Sequence, residues 1–198
     1  KDGVQHPRNI FTQWSKSELA AIGIKPASIT AVDQRYYDTG ELTWDTSGAE
    51  AVGTYATTAK STASLKANMV AEVNGIASSK LSQSDWMSIR AADGGTAVPS
   101  DWATYRTALR TTANAKETAI NALADLDAIK AYRAHPVTYT RKTGTTDSEG
   151  NTTWAAPNIT TDTTVDKVSW TELGSHADSW PTAPDHPADP SFVSVANT

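Results

Sequence analysis

The chain has no cysteine, and only two phenylalanines and two methionines in 198 residues. The absence of cysteine excludes disulfides, thiolate metal sites and cysteine nucleophiles. Leu, Ile, Val and Phe make up about 15% of the chain, below the roughly 20% at which disorder becomes a concern. The modest net charge of −5 and the seven tryptophans nevertheless argue against full disorder. We therefore expect small aromatic cores, burial against other chains, or both.

Basic clusters and long apolar runs are also missing. The net charge is −5 and the sequence pI about 5.3, whereas the neutralisation of nucleic-acid phosphates needs clustered Lys and Arg. No stretch approaches the roughly 18 consecutive apolar residues of a membrane-spanning helix. The sequence therefore predicts neither a nucleic-acid partner nor a membrane partner.

Motifs that carry chemistry are scarce as well. The sequence contains no G-x-S-x-G, P-loop or dinucleotide-binding fingerprint. Two carboxylates on one predicted helix, Asp125 and Asp127, are two residues apart and do not share a face. Possible metal ligands in the proline-rich C-terminal segment fit no metal-binding spacing: His176, Asp178, Asp185 and His186. We predict no enzymatic activity, no cofactor and no bound metal.

A short helix is predicted near the start of the chain. Ser15 and Glu18 have the spacing of a capping box, in which each side chain accepts a hydrogen bond from the other's backbone N–H. The helix should span residues 16–22, and Gly23 should end it.

The next residues have the pattern of strands. Residues 29–34 and 52–57 predict two strands, and residues 36–44 predict a tight hairpin that turns at Asp38-Thr39-Gly40. We expect a small antiparallel sheet over residues 28–57.

Helical periodicity dominates the middle of the chain. Apolar residues recur at helical spacing over residues 58–79, and again from Ser100 to about Ala113 and over residues 115–133. This region should form a unit of three to four helices.

A short sequence occurs twice within this helical region. Ser84-Asp85-Trp86, with Arg90 four residues beyond the tryptophan, is repeated as Ser100-Asp101-Trp102 with Arg106. Each serine should cap a helix, and each aspartate should favour the first turn of that helix. Because Trp and Arg at positions i and i+4 share a helix face, each guanidinium should lie over its indole ring.

The repeated tryptophans have two possible roles. They can form a docking surface, because Trp, Tyr and Arg dominate interface hot spots, or they can anchor the core of the chain itself. In an oligomer the two roles overlap. The candidate docking residues are Trp86, Arg90, Trp102, Tyr105, Arg106 and Arg110, followed by Trp154 and Trp180.

The C-terminal third changes to a threonine-rich pattern. Residues 137–140 and 152–154 predict strands joined by a polar loop over residues 144–151. This hairpin pairs with a neighbouring subunit or is peripheral without a partner. The last residues, 179–198, contain four prolines, and we expect an extended, irregular tail.

Residues 81–86 with Arg90, and then residues 98–110, resemble phage tail assembly chaperones and tail-fibre-associated proteins of tailed bacteriophages. Members of this family have a Thr/Ser-Asp-Trp, a short loop and a Trp-x-x-Tyr-Arg-x-x-Leu-Arg helix, often followed by a Trp-Pro-x-x-Pro element. Residues 180–184 are similar to that closing element, and residues 6–11 to the N-termini of such proteins. The chain departs from the family by a threonine-rich insertion at about residues 135–170.

The sequence thus predicts an α+β fold in three segments. Residues 1–57 form an N-terminal docking segment with a small antiparallel sheet, residues 58–134 a helical domain, and residues 135–198 a β-hairpin with a proline-rich extended tail.

The resemblance implies a phage tail setting, and the insertion favours a resident structural subunit of the tail, fibre or baseplate. Such a subunit would be made in the host cytoplasm and would form homo-oligomers and bind other tail or fibre proteins in the virion. Two alternatives remain: a tail-fibre assembly chaperone that is absent from the mature virion, and a receptor- or carbohydrate-binding module.

Overall fold

The structure is a computed structural model that describes residues 7–172, 176–186 and 188–197, of which residues 194–197 are described by their backbone alone. Its fold is α+β, as predicted. No helix in these ranges is both long enough and apolar enough to cross a membrane. The helices are α1 Ile10–Gln13, α2 Lys16–Ala21, α3 Thr62–Ser82, α4 Asp85–Ala92, α5 Ser100–Ala122 and α6 Leu126–Arg133. The strands are β1 Ala27–Ile29, β2 Tyr37–Asp45, β3 Ala51–Ala59, β4 Ala134–Thr146, β5 Thr152–Asp166 and β6 Phe192–Asn197.

The chain forms two compact units, Lys1–Lys60 and Ser61–Thr198. The first contains α1, α2 and a three-stranded sheet. The second contains the other four helices and a second three-stranded sheet. The helical segment 58–134 and the hairpin segment 135–198 therefore fall almost entirely within one unit.

Helix α2 begins with the predicted capping box. The backbone N–H of Glu18 donates to Ser15 Oγ at 3.3 Å, and the backbone N–H of Ser15 donates to Glu18 Oε2 at 2.7 Å. Gly23 follows the helix with φ of 82°, a conformation that glycine adopts without strain. The predicted helix, its start and its stop are confirmed.

The sheet of the first unit has the strand order β1-β3-β2. Strands β2 and β3 are antiparallel, but β1 pairs with β3 in parallel. The prediction of a wholly antiparallel sheet is therefore wrong for β1.

Two local predictions in this sheet are also wrong. The expected hairpin at residues 36–44 is one continuous strand, β2, and Gly40 lies at an irregularity in its register with β3. The chain reverses instead at residues 46–50. The expected strand at residues 29–34 ends at Ile29, because Asp33 begins a turn in which its carbonyl accepts from the backbone N–H groups of Tyr36 and Tyr37.

The helices of the second unit follow the predicted periodicity with different ends. Helix α3 begins after Ser61, whose Oγ accepts from the backbone N–H of Ser64 at 3.1 Å. The predicted break near residue 114 is wrong, since α5 continues to Ala122. The chain turns instead at residues 123–125, and Asp125 caps α6 by accepting from the backbone N–H of Ala128 at 2.8 Å.

The core of the second unit lies between the long helices α3 and α5, with α6 beside them. Each helix contributes apolar residues at helical spacing. The buried ones are Leu65, Met69, Val73 and Ala77 on α3, Trp102, Tyr105, Leu109, Ala113 and Ile120 on α5, and Ile129 on α6.

The second sheet has the strand order β5-β4-β6, with both pairs antiparallel. The predicted hairpin is confirmed and is longer than expected. Its strands β4 and β5 are joined by residues 147–151, where Gly150 has φ of 87°.

The described residues 181–186 and 188–191 form no helix or strand, as their prolines predicted, but the C-terminal segment does not end as an irregular tail. Residues 192–197 form strand β6, which pairs with β4. Trp180 is fully buried, and its indole Nε1 donates to the carbonyl of Val168 at 3.1 Å. The prolines lie before β6, so they do not interrupt its hydrogen-bond ladder.

Candidate docking surface

Helix α4 presents its large apolar residues to solvent. None of its eight residues is buried, and the side chains of Trp86 and Ile89 are 53% and 62% exposed. Helices of globular proteins normally bury one apolar stripe. Helix α4 therefore contributes little to the core of its own unit and leaves an apolar surface exposed. We call Trp86, Ile89 and Arg90 the α4 surface.

Arg106 on α5 holds the start of α4 in place. Its side chain is only 10% exposed, and its Nη2 lies 2.9 Å from Asp85 Oδ1. Its Nη1 donates to Ser84 Oγ at 2.7 Å and to the carbonyl of Leu81 at 3.0 Å. One buried guanidinium thus joins the end of α3, the connection and the first turn of α4.

The predicted serine caps are wrong. Ser84 precedes α4, but its hydroxyl makes no capping hydrogen bond to that helix, because it accepts from Arg106 and donates to the Leu81 carbonyl. Ser100 is already the first residue of α5, and Pro99 occupies the position before the helix.

The two predicted stacks of arginine on tryptophan have different outcomes. The Arg90 guanidinium lies over the Trp86 ring, 4.9 Å from its centroid, so the first stack is confirmed. The second is wrong, because the guanidinium of Arg106 is directed at Asp85. Trp102 is only 9% exposed and packs edge-to-face on Tyr105 at 5.6 Å.

The remaining candidate docking residues lie elsewhere in the second unit. Trp154 is 37% exposed on the hairpin, where its ring lies so close to Gly144 that a Cβ there would approach it to 2.8 Å. Trp180 is part of the core. Arg110 is exposed on α5. The structure thus brings Trp86, Arg90 and Arg106 together through α4 and its connection, and it places the five other candidates outside the α4 surface.

Sequence reasoning missed a buried lysine. The Nζ of Lys116 donates to the carbonyls of Lys167 and Asp178, at 2.5 Å each, and lies 5.5 Å from the Trp180 ring. Burial lowers the pKa of Lys116 to about 8. Its spacing from Leu109 places Lys116 on the apolar face of α5. The helical periodicity therefore indicates that this lysine is buried. Lys116 attaches the segment after β5 to the helical core.

Charged side chains add a second link between the helices and this segment. Arg133 at the end of α6 bonds Glu72 Oε2 at 3.0 Å and Asp166 Oδ2 at 2.7 Å, and Lys167 lies 3.2 Å from Asp178. Within the described ranges, no group of three or more His, Asp or Glu side chains is placed to hold a metal ion.

Comparison of the chain with protein-family models, curated protein sequences and solved structures gives no match.

Proposed function

We propose that the chain is a structural subunit of a bacteriophage tail, fibre or baseplate, and that it acts by binding other proteins. The main support for this proposal is the α4 surface. It combines an exposed tryptophan with a stacked arginine, the residue types that dominate interface hot spots. The Arg106 contacts hold the helix in position before any partner arrives, which lowers the entropic cost of binding.

The hairpin supports a resident subunit over a transient one. Every residue from 143 to 160 is exposed, so both faces of the outer half of the β4–β5 hairpin are open. A two-stranded ribbon without a packed face is marginally stable in water. Neighbouring subunits in a particle would cover such a ribbon permanently.

Purified virions of the phage that encodes the chain provide the test. Peptide mass spectrometry should find the chain at many copies per particle, and its absence would contradict the proposal. Trp86→Ala should reduce incorporation into particles. Thr111→Ala, a change on the exposed part of α5, is the matched control and should leave incorporation unchanged.

A tail-fibre assembly chaperone is the second candidate, favoured by the resemblance of residues 81–110 and compatible with the same α4 surface. It predicts co-purification of the chain with immature fibres and loss of the chain from mature particles. A receptor- or carbohydrate-binding module is the third, and it needs open aromatic faces for sugars. Arg90 already covers one face of Trp86, so we favour the protein-binding role. Binding in a glycan array would reverse that order.

A further inference from the structure

A polar groove lies between α3 and α5, next to the α4 surface. It has a volume of about 400 Å³, within the range of roughly 300–1,000 Å³ that is typical of ligand sites. Ala77 on α3 and Ala113 on α5 are buried small residues that form its floor. Because neither side chain extends beyond its Cβ, the groove between the two helices stays open.

The charges in this groove do not cancel. Asp85 and Arg106 both line it, but they neutralise one another through their 2.9 Å ion pair. Arg110 is the third charged group. Its one hydrogen bond in the described part of the chain is a 3.5 Å contact from Nη1 to the carbonyl of Arg106, and no described carboxylate lies within ion-pair distance. The groove therefore carries one uncompensated positive charge.

The rest of the lining suits a peptide backbone. Asn74, Ser78 and Asn114 are exposed along the two walls of the groove. An asparagine amide can donate and accept at once, as a peptide group requires. A guanidinium binds a carboxylate in a bidentate manner, with two parallel hydrogen bonds.

We propose that this groove binds an extended, acidic segment of a partner protein, with one carboxylate of that segment paired to Arg110. The inference rests on the proposed docking function, because Asp85 lines the groove and is followed directly by Trp86 of the α4 surface. One partner would then cover Trp86 and place its acidic segment between α3 and α5. The two contacts together would fix the orientation of that partner.

Zero-length cross-linking in purified virions tests the carboxylate directly. Arg110→Lys places an amine in the groove, and a carbodiimide joins an amine only to a carboxylate in contact with it. We expect a cross-link from position 110 to an Asp or Glu of another protein. Thr111→Lys, on a different side of α5, is the control and should give no such cross-link. Circular dichroism of both variants shows whether they fold.

The outcomes separate this inference from the proposed function. Where the Arg110→Lys chain is incorporated into virions, a cross-link from position 110 only to Asp85 of the same chain or to a second copy of the chain overturns the acidic-partner assignment. Absence of any cross-link from the incorporated chain overturns it too. If the cross-linking fails in this way but the unaltered chain is present in virions and the Trp86→Ala chain is excluded from them, the proposed docking function still holds. Exclusion of a folded Arg110→Lys chain, with Thr111→Lys incorporated, would support the groove as a docking site. Absence of the unaltered chain from virions would defeat both proposals.

Discussion

Trp102→Ala and Trp86→Ala should have opposite effects on stability and binding, although the two tryptophans occupy equivalent positions of a repeated sequence. Trp102 is buried against Tyr105 in the core between the long helices, whereas Trp86 is half exposed on α4. Trp102→Ala should lower the unfolding free energy of the second unit and leave the residues of the α4 surface unchanged. Trp86→Ala should leave the fold intact and weaken docking.

The expected magnitudes follow from burial. Truncation of a buried Trp to Ala costs about 3–5 kcal/mol in unfolding free energy, and loss of the edge-to-face pair with Tyr105 accounts for roughly 0.5–1.5 kcal/mol of such effects. Because Trp102 retains 9% exposure, we expect a value near the lower end, about 3 kcal/mol. Trp86→Ala loses an exposed cation–π contact with Arg90, which is worth about 0.5–1 kcal/mol.

Urea denaturation, monitored by the circular dichroism signal of the helices, measures the change in unfolding free energy of both variants. With a slope of about 1–3 kcal/mol per molar urea, Trp102→Ala should lower the midpoint by roughly 1–3 M. Trp86→Ala should lower it by less than about 1 M. Equal shifts for the two variants would refute the assignment of one tryptophan to the core and the other to the surface. A near-neutral effect of Trp102→Ala would mean that its burial adds little.

Three further predictions concern polar groups and the hairpin. The stability of the second unit should rise between pH about 8 and 10, because the unfolded chain keeps the proton of Lys116 that the folded chain releases near pH 8. Above pH 10 the rise should reverse, since burial raises the pKa of Tyr132 to about 12. Urea midpoints measured across this range should lose the rise in Lys116→Met. Arg106→Met should cost about 1–3 kcal/mol by removing the donor to Asp85 and to the buried Ser84 hydroxyl, and hydrogen exchange of residues 84–92 should increase. Gly144→Ala should displace the Thr152 side chain and the Trp154 ring, whose nearest atoms would lie 2.7 and 2.8 Å from the new Cβ, and the indole N–H resonance of Trp154 reports the movement of the ring. Unchanged exchange or an unchanged resonance would contradict the last two.

Local sequence patterns predict the structure correctly where both partners of an interaction lie within a few residues of each other. The capping box of α2 needs only Ser15 and Glu18, and the long hairpin needs only a polar turn between two threonine-rich stretches. Parallel pairing of β1 with β3 depends on residues more than twenty positions apart, which periodicity does not encode. Gly40 has the composition of a turn, but in the structure it lies at an irregularity within a strand, a second common role of glycine.

Contacts between distant residues also limit how much of the α4 surface the sequence predicts. The spacing of Trp86 and Arg90 predicted their stack, because both residues lie on one helix. The same spacing failed for Trp102 and Arg106, because a carboxylate from another helix competes for the guanidinium. The Arg106 guanidinium is held by Asp85, Ser84 and the Leu81 carbonyl together, and the Trp102 ring packs on Tyr105 instead.

This competition makes the two copies of the repeated sequence interdependent. The arginine of the second copy, Arg106, binds the serine and the aspartate of the first, Ser84 and Asp85. The α4 surface is therefore positioned by a residue that is not part of that surface. A variant of Arg106 should weaken docking as a Trp86 variant does, but with a larger loss of stability than Trp86→Ala causes. If Arg106→Met weakens docking while hydrogen exchange of α4 stays unchanged, Arg106 acts through its own contact with the partner and not by positioning α4.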